Sequence, residues 1–219
     1  MGNRPPILFW NKIMSPRIAT SERDKVLKET RQKLLDAATL EFAANGFVGA
    51  NINRISTNAG FSKGTIYNHF SSKRDLMLNL IDEVAAKHTE FVISQVEEED
   101  PVLRLKQLFN AGFRFVEQYP HHIQIVISVV YGHDHEFKER FYQAYNDFFA
   151  FVIEGIIKVG ITQGVFKQVD PDTTTALLMS LYLGNLSLLD PDGKIWFDPD
   201  EVIDFVMQGI KHVDEESHK

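Results

Sequence analysis

The stretch Ile52-Asn53-Arg54-Ile55-Ser56-Thr57-Asn58-Ala59-Gly60-Phe61-Ser62-Lys63-Gly64-Thr65-Ile66-Tyr67-Asn68-His69-Phe70 decides the fold. It reads as two short helices joined by a tight turn. Asn51 is placed to cap the first, about 52–59, by offering its side-chain oxygen to the free N–H groups of the first turn. Gly60 ends that helix at a reversal that favours positive φ. Ser62 caps the second helix, about 63–70. Ile55 and Ile66 lie eleven residues apart, so each helix turns one apolar residue into a shared core. Ser56 and Ala59 are small where the two helices cross. This is the pattern of a helix-turn-helix.

The second helix of the pair exposes Lys63, Thr65, Tyr67, Asn68 and His69. These are short or flexible hydrogen-bonding side chains, not a solvating mixture of Glu and Lys. A helix of that kind fits the major groove of DNA. Upstream, Leu34, Leu35, Ala38 and Phe42 form the apolar stripe of a helix over about 22–45, stopped at Asn45-Gly46. Downstream, Ser71 or Ser72 caps a longer helix over about 73–96.

From Thr30 to Leu80 the chain resembles the DNA-binding domain of the TetR family of bacterial transcriptional regulators. The resemblance rests on 52–70, followed by Ser72-Lys73 and Leu76, with Ala37-Ala38 and Phe42 at the matching positions of the first helix. Ser56 departs from the family's usual alanine; its hydroxyl can bond back to the helix without changing the fold. Asn51 replaces a common threonine, and both residues cap well. The resemblance implies that Lys63, Thr65 and Asn68 meet base edges or the groove. It implies that Tyr67 and His69 meet the DNA backbone, and that Lys73 meets a phosphate. Asn51 and Asn53, at the start of the preceding helix, are further phosphate candidates. Phe70 reads as a core anchor. Tyr67 reads either as a core aromatic or as a half-buried ring with its phenol outward.

Charge supports a two-part chain. The net charge of the 219 residues is −7, but residues 1–80 hold 12 Lys and Arg against 6 Asp and Glu, and the remainder 11 against 24. A basic head on an acidic body follows. The expected division is an arm at 1–20, a DNA-binding head at 21–80 and a helical body at 81–219. The arm, with the basic residues Arg4, Lys12, Arg17, Arg23 and Lys25, either enters a minor groove, packs its Phe9-Trp10 on the body, or is a tail with no role. Its short apolar run does not suit a signal peptide, and no stretch reaches membrane-spanning length. The absence of cysteine excludes disulfides, Cys-ligated metals and thiol nucleophiles. A cytoplasmic protein that makes no membrane contact is expected.

The body reads as helices throughout, giving an all-α chain of about nine. They run over about 102–118, 121–131, 136–163, 173–189 and from Asp198-Pro199-Asp200 to His212. In the family, the middle helices bind a small molecule and the last two form a homodimer. The aromatic surplus here, 17 Phe and 6 Tyr, suits a hydrophobic or aromatic ligand. Phe113, Tyr119, Tyr142, Tyr145 and Phe149 are the expected lining. Leu177, Leu178, Leu181, Tyr182 and Leu188, with Val202, Ile203, Phe205, Val206 and Ile210, make the last two helices apolar on several sides, and Gly184 permits close approach of a partner helix.

His121-His122, and His133-x-His135 beside Asp134 and Glu136, could suggest a metal site, but adjacent helix-start histidines point different ways and a polar loop is usually solvated, so no metal and no cofactor are expected. The sequence offers no phosphate loop and no nucleophile elbow, so no catalytic residue is assigned. The function implied is a sequence-specific regulator bound to double-stranded operator DNA, a repressor released by a small ligand. The alternatives are an activator or a ligand-independent architectural DNA-binding protein.

Overall fold

A computed structural model describes residues 22–186 and 198–211. The arm, including Arg4, Lys12 and Arg17, lies outside the described residues. So do Leu188, the turn at 190–193 and His212. Arg23 and Lys25, grouped with the arm in the sequence, stand instead in the first helix.

The described residues are helical, with no strand among them. Helix α1 (Glu22–Gly49) bends at Gly46, whose φ of 63° ends the regular helix and leaves one further turn. Then follow α2 (Ile52–Asn58), α3 (Lys63–His69) and α4 (Lys73–Ile93). The caps are those the sequence offers. Asn51 accepts from the Asn53 N–H, Ser62 from Thr65 and Ser72 from Asp75. Gly60 has a φ of 79° at the reversal. Ile55 and Ile66 are fully buried, and the Ser56 hydroxyl donates to its own helix at Asn53 O (2.9 Å).

The body comprises α5 (Pro101–Gln118), α6 (Pro120–Val130), α7 (His135–Ala144), α8 (Asn146–Val152), α9 (Lys158–Thr162), α10 (Pro171–Leu186) and α11 (Pro199–Ile210). Asp100, Asp170 and Asp198 cap α5, α10 and α11 with proline behind them, the arrangement that fixed geometry and a missing N–H favour.

The single helix expected over 136–163 is interrupted twice. Tyr145 breaks it with φ −92° and ψ 4°, and a π-helical turn, Ile153–Ile157, separates α8 from α9. Nearly every side chain from Phe148 to Ile157 is apolar, so one straight helix would point part of them at water. The extra residue of a wide turn advances the side-chain direction by about 100°. It directs Ile156 and Ile157 into the core. Gly160 follows because a Cβ there would stand 2.2 Å from the Phe166 ring.

The core runs without interruption from Leu34 to Met207. Helix α4 carries it from head to body, burying Leu76, Met77 and Leu80 and then Val84, Ala85 and Val92. The head is not a free appendage, because α1 also packs on α6, and α4 packs on α7.

Candidate functional site

The first candidate surface is the exposed side of α3. Ile66 anchors the helix in the core, and its neighbours around the circumference face outward. Lys63 and Asn68 are exposed, Tyr67 is 46% exposed, and Thr65 and His69 are half-buried. Thr65 is held locally by the Ser62 hydroxyl at 3.0 Å. Phe70 is buried, with the Arg31 guanidinium 5.4 Å from its ring centroid. Tyr67 is thus part-exposed, and Phe70 is the buried anchor.

Asn51 and Asn53 sit exposed at the start of α2. A buried carboxylate supports that start: Glu41 accepts from the Asn51 N–H (2.8 Å) and forms a forked ion pair with Arg54 (2.6 Å). Burial raises the Glu41 pKa. The Arg54 guanidinium, the Asn51 N–H and the charge of Lys73 more than reverse this, and the value ends below the ordinary one.

Lys73, the expected phosphate contact, is partly engaged within the protein. Its ammonium donates to Val48 O (3.0 Å) and Ala50 O (2.6 Å) and lies 5.1 Å from the Phe47 ring centroid. Two of its three donors are engaged in closing the end of α1, so one remains for a phosphate.

The second candidate is a cavity of about 600 Å³ in the body. Its walls are Ile123, Val126 and Val130 of α6, Phe141 and Tyr142 of α7, Tyr145, Phe148 and Phe149, and Thr175, Ala176, Met179 and Tyr182 of α10. Of the five aromatics expected there, Tyr142, Tyr145 and Phe149 line it. Phe113 and Tyr119 do not. Phe113 is buried behind the wall, 5.5 Å from the Tyr182 ring. Tyr119 packs at a tilt against Phe115, 4.8 Å between ring centroids, with the Lys87 ammonium 4.0 Å from its own ring centroid. Helical position alone did not separate the two faces of α5.

Sequence reasoning missed His88 and Tyr182. Tyr182 donates its hydroxyl to Gly112 O (2.9 Å), and Gly112 must be glycine because a Cβ would stand 2.9 Å from that ring. His88 lines the cavity from α4. It is 4% exposed, and neither ring nitrogen has a partner. Burial pushes its pKa down to about 4. The signal was present: Val84, His88 and Val92 are spaced by four on the buried face of α4.

The cavity and the head share helices. Arg74, in the first turn of α4, donates to both carboxylate oxygens of Asp134 (3.2 and 2.9 Å) and to Glu136 (2.7 Å) at the start of α7. Its guanidinium lies 4.7 Å from the Phe137 ring centroid and 5.4 Å from that of Phe47. Hydrogen bonds from Arg74 hold the Asp134 carboxyl below its ordinary range.

The remaining histidines are dispersed. His121, His133 and His135 are exposed, and His122 is half-buried 3.5 Å from the Lys87 ammonium. Burial first, and then the Lys87 charge, lower the His122 pKa to about 4. No group of three metal-ligating side chains converges among the described residues. Among them, no helix is long and apolar enough to cross a membrane.

Residues 34–80 match the sequence model of bacterial regulatory proteins of the tetR family. The repressor KstR2 of Mycobacterium tuberculosis is 34% identical over 101 residues, which are 44% of this chain and 48% of that protein. The chain thus spans about half the length of that relative. FadR of Bacillus subtilis, solved in complex with stearoyl-CoA, superposes with a TM-score of 0.73 at 17% identity, covering 81% of this chain and 98% of FadR. AibR, solved with isovaleryl coenzyme A and operator DNA, gives 0.68 at 19% identity, covering 82% and 97%. At those identities the superpositions speak for the fold. Residues 34–80 are similar to the DNA-binding segment of the TetR family of bacterial regulatory proteins, and the described chain shares the all-helical fold of the superposed structures.

Proposed function

We propose that the protein is a sequence-specific repressor that leaves its operator when a small apolar ligand enters the body cavity. The single observation that carries this reading is shared structure. Helix α6 lines the cavity with Ile123, Val126 and Val130 and packs against α1 of the head. Helix α7 lines it with Phe141 and Tyr142 and grips α4 through Asp134 and Glu136. A ligand that prefers one arrangement of these helices shifts the population of head positions. FadR and AibR, which share the fold, were solved with acyl-CoA molecules.

Lys63, Thr65 and Asn68 are the proposed groove contacts. Tyr67 and His69 are the proposed backbone contacts, with Asn51, Asn53 and Lys73 at phosphates. The arm at 1–20 stays a proposed minor-groove element of the head at 21–80. Helices α10 and α11 are the proposed homodimer surface. Leu177 (65%) and Phe205 (69%) are exposed on them, and a Cβ at Gly184 would meet nothing within 4 Å among the described residues. A twofold dimer places its two α3 helices on half-sites about 34 Å, or a multiple of that, apart. A cytoplasmic location follows from that role.

Selection of bound duplexes from a random pool tests the reading. A palindromic consensus is expected, with binding lost on Thr65→Ala and Asn68→Ala. Enrichment of no sequence, or an asymmetric single site, overturns it.

A further inference from the structure

The cavity contains little unspent polarity. The Tyr182 hydroxyl is donated to Gly112 O, Thr175 to Pro171 O and Ser180 to Ala176 O. No Lys or Arg lines it, and its one charged lining residue, Asp172, is exposed at the mouth. Tyr131 and Tyr142 also line it but are exposed, so among its buried lining residues the polar groups with no hydrogen bond are the Tyr145 hydroxyl and the two nitrogens of His88. The imidazole is enclosed by Phe115 (4.9 Å), Phe148 (5.2 Å), Tyr145 (5.5 Å) and Tyr182 (6.3 Å), measured between ring centroids. A buried donor and acceptor left unmade are costly, and an apolar residue on this face of α4 would carry no such cost. A neutral imidazole offers one N–H and one lone pair, so it can pair with a hydroxyl or a carbonyl. Burial keeps it neutral, which leaves the cavity without a cation for an anionic head group.

We propose that His88 is the polar contact that reads the ligand, and that the ligand is a neutral apolar molecule bearing one hydroxyl or carbonyl group hydrogen-bonded to the imidazole. This rests on the cavity being the ligand site of the regulator proposed above. The test is calorimetric titration of the full chain at pH 7.5 with three probes of one shape: 4-butylphenol, butylbenzene and 4-butylbenzoate. The phenol is expected to bind about tenfold more tightly than either of the others. In His88→Phe the phenol falls to the level of butylbenzene, whose own affinity is kept. Equal affinities in the native protein, a preference for the benzoate, or a phenol preference that survives His88→Phe overturns the assignment of His88 while leaving the cavity as the ligand site. Binding of none of the three overturns the cavity reading as well. Should His88→Phe not fold, the native protein decides. The ¹⁵N resonances of the His88 ring shift with the phenol and not with butylbenzene, and a shift with neither contradicts the proposal.

Discussion

His88 shows at the scale of one side chain how fold and function compete. Its position is set by the apolar spacing of α4, which would be satisfied by leucine or phenylalanine. The imidazole is instead held neutral among four aromatic rings, with its pKa lowered by burial to about 4. An unfolded chain binds that proton first, near about pH 6.5. The stability due to the neutral ring is therefore complete above about pH 6.5 and is lost as the pH falls toward 4. The titratable groups that face it, Tyr145 and Tyr182, have pKa values raised by burial and stay neutral throughout. His122 has the same direction of shift and supplies a second part of the acid slope. Phe at position 88 removes two unsatisfied atoms, so His88→Phe is expected to be more stable at pH 7 by about 1–2 kcal/mol. It should also lose stability less steeply between pH 6.5 and 4. Calorimetric melting across that range checks both, and a curve parallel to the native one contradicts them.

The same scale shows what could be read from residues alone. The caps at Asn51, Ser62, Asp170 and Asp198 and the positive φ of Gly46 and Gly60 stand where local chemistry puts them, because each depends on near neighbours only. The cavity lining depends on which helix faces which. Phe113 and Tyr119 lie on α5 and its end, and were indistinguishable in type from Tyr142 and Phe149. Tertiary packing turned the first pair away. Glu41 is a further case: nothing within its own turn announces that it is buried under Arg54, thirteen residues on.

Among the elements, α4 and α7 are, in the proposed function, the joint between the body cavity and the DNA-binding helices. Arg74 connects them with three hydrogen bonds and one ring contact, to Phe137, and makes a second ring contact to Phe47 of α1. Exposed ion pairs contribute little to stability, so the value of this one lies in orientation. Arg74→Gln is expected to leave the melting temperature nearly unchanged and to reduce the loss of DNA affinity that a ligand causes. Anisotropy of a labelled operator with and without ligand measures this. An undiminished ligand effect in the variant excludes Arg74 from the coupling. The break at Tyr145 and the π turn at 153–157 belong to this scale as well. Composition showed a long apolar helix, but the turn that re-aims its faces answers to neighbouring helices, which no local pattern records.

For the whole molecule, the net charge of −7 is the sum of a basic head and an acidic body. DNA affinity is therefore expected to have a salt dependence set by head residues such as Lys63. Neutralising body carboxylates should raise non-specific binding more than operator binding. The apolar positions Leu177 and Phe205 remain exposed on α10 and α11. Phe205→Glu is expected to shift the protein from dimer to monomer at micromolar concentration and to weaken operator binding at least tenfold. Light scattering checks the first and anisotropy the second. A native protein that is already monomeric contradicts the dimer.

In the proposed function, occupancy of the body cavity sets DNA affinity. The most direct measurement is the Kd for the selected operator, by anisotropy at fixed salt, with and without 4-butylphenol at a concentration shown by calorimetry to saturate the protein. A Kd at least tenfold weaker in the saturated sample is predicted. An unchanged Kd at demonstrated saturation would rule out control of DNA binding by the cavity.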